Sequence, residues 1–452
     1  MAANGLASSN AHSDLHYSTA SEIVPLLKSG VITVEQYVRS LLARIHERDD
    51  HVQAWAYLDP DYAICEAKAL DQVPEDRRGI LHGIPIAVKD VINTKDLPTQ
   101  HHSPSYQGSR PGIDATPIGV LRAAGALIIG KTTTTQFAAI NIGTKTRNPH
   151  DPKRTPGGSS SGSAAAVADY QVPLAVGTQT AGSVIRPASY CGIYGMKPTW
   201  NAISTEGLKI FSISVDTFGF FARSLEDLEL LADVFALADD GDPPTEEPLT
   251  VDKCKVGILK TMVWSRAGPG TVAAMQLAVE ILKKYGAAVT ELNLPGEFDS
   301  LPDYHEQVVA GDARASFLGE YRMHRRGLDQ ELADYVENKS NMSWKEHLHA
   351  KDRVAALRSM FESFAEQYTV IVTPSVIDEA PLGLEYTGSP AFNAIWTSLH
   401  LPVVNIPAFK GEHGMPIGIS LVLPRYRDKR LLRVAKVIGE CLTRDGGWKA
   451  ES

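Results

Sequence analysis

The stretch "GALIIGKTTTT", Gly125 to Thr135, decides how the chain is read. It matches the phosphate-loop pattern from Gly125 through Gly130 and Lys131 to Thr132. A phosphate loop needs a buried strand before it and a helix after it, because its backbone N–H groups must wrap around an anion. The order here is reversed. "TPIGVLRAAG" reads as a helix stopped by glycine. Ala126-Leu127-Ile128-Ile129 then has the composition of a buried strand, which Gly130 is expected to end. The stretch is therefore a helix–glycine–strand unit of an α/β core, and not a nucleotide cradle.

Outward from this unit the same alternation continues. "IPIAVKD" is a buried strand. "KVGILK", a helix over Thr271–Tyr285, Gly286 and "AAVTELNL" form β–α–β, and "VIVTP" and "IGISLVLP" add late apolar strands. Strands alternating with helices predict one large α/β/α domain over 1–452, with a mixed, mainly parallel twisted sheet covered by helices on both faces. Within it, residues 17–75 are expected to be docked amino-terminal helices. "TVEQYVRSLLARIHERD" has a Thr33/Gln36 capping box and an apolar face of Val34, Val38, Leu41, Leu42 and Ile45. A core at about 79–235 follows, then a charge-rich helical insertion or cover at about 299–368. "LADDGDPPTEEPLT" (237–250) reads as a surface loop.

The 452 residues are 43% hydrophobic and 21% charged, with a formal net charge of −9. No lysine–arginine run favours nucleic acid or an anionic membrane as partner. The amino terminus "MAANGLASSNAHSD" lacks a signal-peptide pattern, and no apolar run approaches the ~20 residues that span a bilayer. Cys65, Cys191, Cys254 and Cys441 lie far apart without C-x-x-C spacing, which fits free thiols in the cytoplasm. His101-His102 and the His347/His349 pair match no metal motif, so no metal is expected.

The stretch "TPGGSSSGSAAAVADYQVPLAVGTQTAGSVIRPASYCG" carries the chemistry. It is flanked too tightly by core sequence to be a linker. Gly158-Ser159-Ser160-Ser161-Gly162 matches the G-x-S-x-G nucleophile elbow, yet the polar, proline-broken "NPHDPKRTP" stands where an elbow needs a strand. A Ser–His–Asp hydrolase built on Ser160 is thus the secondary chemistry.

"GGSSSGSAAAVA", then "VGTQTAGSVIRPASYCG" and "KPT", preceded by "HGIPIAVKD", resembles the amidase signature family. "VTPSVIDEAPLG", "LHLPVVNIP" and "GMPIGISLV" extend the resemblance over nearly the whole chain. The resemblance implies a serine nucleophile at Ser183, a second serine in a cis peptide at Ser159, 24 residues earlier, and a base at Lys89. A buried neutral lysine can activate serine without histidine. The implied oxyanion donors are the backbone N–H groups of Thr180, Ala181, Gly182 and Ser183. The reaction implied is hydrolysis of a linear carbon–nitrogen amide bond, with an ester as the related alternative, and no cofactor.

Many members read aspartate at the place of Gln179 and have arginine two residues after the nucleophile. Here arginine is three after it, Arg186. That wording resembles malonamidases, in which the arginine binds a substrate carboxylate. Ser160 is a further expected contact at the catalytic hydroxyls, Ser161 and Ser163 are expected helix caps, and Phe392 and Trp396 are candidate walls of the acyl pocket. The partner expectation is a small-molecule amide, with a homodimer admitted. Because the family includes glutaminase subunits of tRNA-dependent amidotransferases, a place in such an assembly is the alternative function, and an inactive scaffold the non-enzyme one.

Overall fold

A computed structural model describes residues 14–239 and 248–450. Nearly all of "MAANGLASSNAHSD" and the middle of the loop expected at 237–250 fall outside the described residues. Eleven strands among the described residues form one sheet. They are β1 (Trp55–Leu58), β2 (Pro85–Lys89), β3 (Leu127–Thr132), β4 (Leu174–Gln179), β5 (Tyr194–Lys197), β6 (Thr217–Ala222), β7 (Lys255–Leu259), β8 (Ala288–Leu292), β9 (Val370–Pro374), β10 (Val403–Lys410) and β11 (Pro416–Val422). Their spatial order is β1-β3-β2-β4-β6-β5-β10-β11-β9-β7-β8.

Gly125–Thr135 folds as its composition demands. Helix Thr116–Ala123 stops, Gly125 turns the chain at φ +93°, and β3 follows. A Cβ at Gly125 would also lie 2.9 Å from the His82 backbone, so the turn and the close approach both need glycine. Gly130 does not end the strand, which runs on to Thr132. At Gly130 the neighbouring β1 comes so near that a Cβ would lie 2.8 Å from the Trp55 ring and from the Tyr57 carbonyl oxygen. Glycine here admits a partner strand.

The mixed α/β architecture is as expected, but its balance is not mainly parallel. Of the ten strand pairings, four are parallel and six antiparallel. The parallel blocks β3–β2–β4 and β9–β7–β8 flank an antiparallel centre. A strand buried on both faces is apolar throughout, whichever way it runs, so its composition carries no direction. Direction comes from the connections: β10 and β11 are joined by a short turn, which allows only an antiparallel pair.

Helix Val34–Val52 carries the Thr33/Gln36 capping box and buries Val34, Val38, Leu41 and Ile45. Leu42 is half-buried at the margin of that face. The helix packs on helix Pro60–Asp71. Residues 299–368 contain helices Leu301–Ser316, Leu318–Met323, Gln330–Glu337 and Trp344–Ala365. The first of these packs against both the last and helix Ala391–Ser398, which sets the helical layer over the site. No helix among the described residues is long and apolar enough to cross a membrane.

Candidate active site

The parallel pair β2–β4 builds the floor of the site. Val88 pairs with Val176, which brings Lys89, the last residue of β2, next to Thr178 near the end of β4. The Gly158–Ser159 peptide is cis and turns the chain into helix Ser161–Ala168. Lys89 Nζ lies 2.7 Å from Ser159 Oγ, 2.9 Å from Thr178 Oγ1 and 3.3 Å from the Thr178 carbonyl oxygen. The side chain is fully buried, and that burial pushes its pKa well below the usual lysine value. The nearby Asp216 carboxylate opposes this shift, and the Arg186 guanidinium adds to it.

These contacts have a chemical consequence. A neutral amine has two hydrogens and one lone pair. With the amine neutral, Thr178 Oγ1 and the Thr178 carbonyl can accept its two hydrogens, which leaves the lone pair for the Ser159 hydroxyl. Asp90 does not interfere: it points to the other side of β2, where its carboxylate lies 3.6 Å from Lys131 Nζ.

Ser183 sits in the turn between β4 and helix Ile185–Tyr190 and lines a cavity of about 860 Å³. Among the described residues, Ser183 Oγ makes no hydrogen bond, and the N–H groups of Thr180, Ala181, Gly182 and Ser183 meet no protein acceptor. They remain available to a ligand oxygen. Thr180 is held from the other side, where its hydroxyl donates to Asp216 Oδ1 at 2.5 Å. Asp216 also accepts from Phe211 N at 2.7 Å, and its burial raises its pKa to about 6.

Gln179 organises the turn. Its Oε1 accepts from Val184 N (2.8 Å) and Ile185 N (3.0 Å), satisfying two N–H groups at the start of the following helix. Its Nε2 donates to Thr397 Oγ1 at 3.0 Å, and Thr397 Oγ1 in turn donates to the Ala181 carbonyl at 2.8 Å. An aspartate would be one methylene shorter and, ionised, could not donate to Thr397. The glutamine therefore belongs with Thr397 as a matched pair. Thr178, Asp216 and Thr397 were not singled out from the sequence. A threonine in a strand and an acid in a loop carry no local signal, and these three reach the site from separate segments.

Several expected contacts are placed elsewhere. Ser160 is fully buried and does not line the cavity; its hydroxyl donates to the Thr178 carbonyl at 3.3 Å, the oxygen that Lys89 Nζ also meets, and its N–H donates to the Ser183 carbonyl at 3.4 Å, so its hydroxyl bonds neither Ser159 nor Ser183. No strand precedes it, so the elbow geometry is absent from this segment. Ser161 Oγ donates to the Gly157 carbonyl and Ser163 Oγ to the Val176 carbonyl, so neither caps a helix N–H. Phe392 and Trp396 are core residues, packed on Trp264 and Phe361 respectively. The same helix turns Ala391 and Ala394 to the cavity, because residues three apart share a face that those at 392 and 396 do not occupy.

Arg186 borders the cavity but is only 2% exposed. Its Nε and Nη2 donate to the Gly158 carbonyl at 3.0 and 2.6 Å, Nη1 donates to the Gly388 carbonyl, and both Nη atoms approach Asn141 Oδ1. All five guanidinium N–H groups thus have protein acceptors. The residue braces the Gly158 carbonyl, next to Ser159, rather than reaching out for a ligand. Burial lowers its pKa to about 10, which leaves it cationic.

The helical layer forms the opposite wall. It brings Asp303, His305, Glu306 and Glu331 to the cavity, and Arg266 enters from another segment.

The sequence pattern of the family described as Amidase matches residues 36–432. The A-subunit of the glutamyl-tRNA(Gln) amidotransferase of Chloroflexus aurantiacus is 38% identical over 471 aligned positions, covering 93% of this chain and 96% of that protein. A solved structure described as an amidase is 28% identical with a TM-score of 0.82, covering 94% of this chain and 100% of its own. A protein from a vestigial complex that bears on the origins of an s-triazine catabolic enzyme is 26% identical with a TM-score of 0.84, covering 96% and 100%.

Proposed function

The chain belongs to the amidase signature family and is an enzyme of carbon–nitrogen amide bonds, and on that footing we propose that it hydrolyses a carboxamide through an acyl-enzyme on Ser183. The observation that carries this reading is the buried Lys89–Ser159 hydrogen bond of 2.7 Å beside a turn whose N–H groups meet no acceptor among the described residues. Ser183 Oγ attacks the carbonyl carbon. Its proton passes to Ser159 Oγ, whose own proton passes to the Lys89 lone pair. The N–H groups of the Thr180–Ser183 turn receive the oxyanion, a contribution of about 3–4 kcal/mol per donor to the barrier. The carbon–nitrogen bond then breaks, and the proton returns through Ser159 to the leaving nitrogen. Water repeats the sequence on the acyl-serine and releases the acid. Gln179, Asp216 and Arg186 hold the turn and the Gly158 carbonyl in place.

Two finer readings share this chemistry. A free-standing amidase acting on small molecules is supported by the large cavity beside Ser183. A glutaminase subunit, freeing ammonia from glutamine for a partner, is supported by the 38% identity over 93% of the chain to the amidotransferase relative. Ammonia release from glutamine and from a panel of small amides separates them: activity confined to glutamine, rising when partner subunits are added, selects the second. Ser183→Ala should keep the fold and abolish either activity, and a serine-reactive phosphonate should label Ser183. Labelling at Ser160 would sink the mechanism.

A further inference from the structure

Resting on the reading of Ser183 as the nucleophile in this cavity, we propose that His305 is a specificity-determining residue whose Nε2–H binds a second, uncharged carbonyl oxygen of the substrate, beyond the scissile amide. His305 lies on helix Leu301–Ser316 and is only 6% exposed, and it borders the same cavity as Ser183. Its Nδ1 is 2.7 Å from Ser398 Oγ. Ser398 is 1% exposed, and among the described residues its hydroxyl has no other side-chain or backbone partner.

That isolation assigns the tautomer. If Nδ1–H donated to the hydroxyl, the hydroxyl hydrogen would be left buried without an acceptor, which is costly. If the hydroxyl donates to Nδ1, no hydrogen is orphaned. The imidazole is then neutral, with its hydrogen on Nε2. Among the described residues Nε2 has no hydrogen-bond partner. Burial depresses the pKa to about 4, so the ring stays a neutral donor across the ordinary working range. Ser398 also follows Thr397, which holds the Ala181 carbonyl. The donor is therefore fixed to the same helix that braces the oxyanion turn.

The charge of the cavity favours a neutral acceptor over a carboxylate. Asp303, Glu306, Glu331 and Glu346 border it, against Arg266 and the already engaged Arg186. A substrate carboxylate at His305 would meet this acidic wall. A diamide, ureide or peptide-like amide would bring an oxygen without a charge.

The test compares aliphatic diamides with monoamides of matching length, succinamide with valeramide and adipamide with heptanamide, for wild type, His305→Phe and His305→Gln. Wild type should prefer the diamide. In His305→Phe the diamide-to-monoamide ratio of kcat/KM should fall about tenfold, through KM, as expected for one lost neutral hydrogen bond. His305→Gln, which retains an N–H donor, should recover most of the ratio. A second readout does not need the His305 variants to fold. In 15N-histidine-labelled Ser183→Ala protein, the His305 imidazole should show the neutral Nε2–H tautomer and shift on addition of the diamide only. No wild-type preference, an equal loss for both substrates, a loss in kcat alone, or an unmoved imidazole signal overturns the proposal. Failure of wild type to hydrolyse either substrate, with no phosphonate labelling of Ser183, would instead overturn the reading on which it rests.

Discussion

Replacing Gln179 with leucine isolates the contribution of one side chain to both fold and chemistry. The two residues are close in size, so the change removes hydrogen bonds with little change in volume. The N–H groups of Val184 and Ile185, now accepted by Gln179 Oε1, lose their partner in a buried place, and Thr397 Oγ1 loses its donor. An orphaned buried donor costs about 1–3 kcal/mol. Two such donors set the loss of stability at about 2–6 kcal/mol. With an unfolding entropy of about 2.1 cal/mol/K per residue, this large chain should lose roughly 2–6 °C in Tm. Activity should suffer more than stability suggests, because the side chain anchors the turn that carries Ser183. A displacement that disables one oxyanion donor costs about 3–4 kcal/mol in the barrier, a fall of several hundredfold in kcat. Gln179→Glu is the companion variant. It keeps an acceptor for the two N–H groups, so it should retain more stability than the leucine variant. Differential scanning calorimetry and amide hydrolysis measure both effects. A leucine variant with wild-type Tm and kcat would refute the anchoring role.

Other outcomes follow from the same geometry. Lys89 accepts a proton only when neutral, and burial lowers its pKa, so kcat/KM should rise from acid pH through that depressed value. Lys89→Arg should be nearly inactive at every pH in this range, since guanidinium keeps its proton; near-normal rates would make Lys89 structural. The Asp216 carboxylate raises the proton affinity of Lys89, so Asp216→Asn should move the acidic limb to lower pH, and a limb that stays or moves upward refutes the coupling. Arg186→Lys should lower kcat alike for substrates with a free carboxylate and for their methyl esters, because Arg186 holds the Gly158 and Gly388 carbonyls. A selective loss for the free acids, seen in KM, would restore the carboxylate-binding role expected from the sequence.

How much was legible depended on how local the cause was. Helix Val34–Val52 was readable to its capping box, because a helix start is written in four consecutive residues. The unit at Gly125 was readable because a phosphate loop and a buried strand demand different residues between the same two glycines. Lys89, Ser159 and Ser183 each stand in a distinctive short motif, and the structure hydrogen-bonds Lys89 to Ser159 and to Thr178, on the strand that leads into the Ser183 turn. By contrast, Gly130 reads locally as a strand end, because the neighbour that explains it, β1, comes from a distant segment. Phe392 and Trp396 read as cavity walls from their size and position, though helix packing turns Ala391 and Ala394 there instead.

The sequence by itself determined the alternation of strand and helix, the residue types at the proposed reacting centre and the family resemblance, since each is encoded in contiguous residues. Tertiary structure alone decided strand direction, which a uniformly buried strand does not encode. It alone turned Arg186 inward to the Gly158 carbonyl, gave Lys89 its two Thr178 acceptors, and set Asp216 near enough to oppose the effect of burial. It also placed His305 and Ser398 within 2.7 Å in the wall of the same cavity. The reason is physical: a hydrogen bond or a pKa depends on what lies within a few ångströms, and in this chain those neighbours come from segments far apart in sequence.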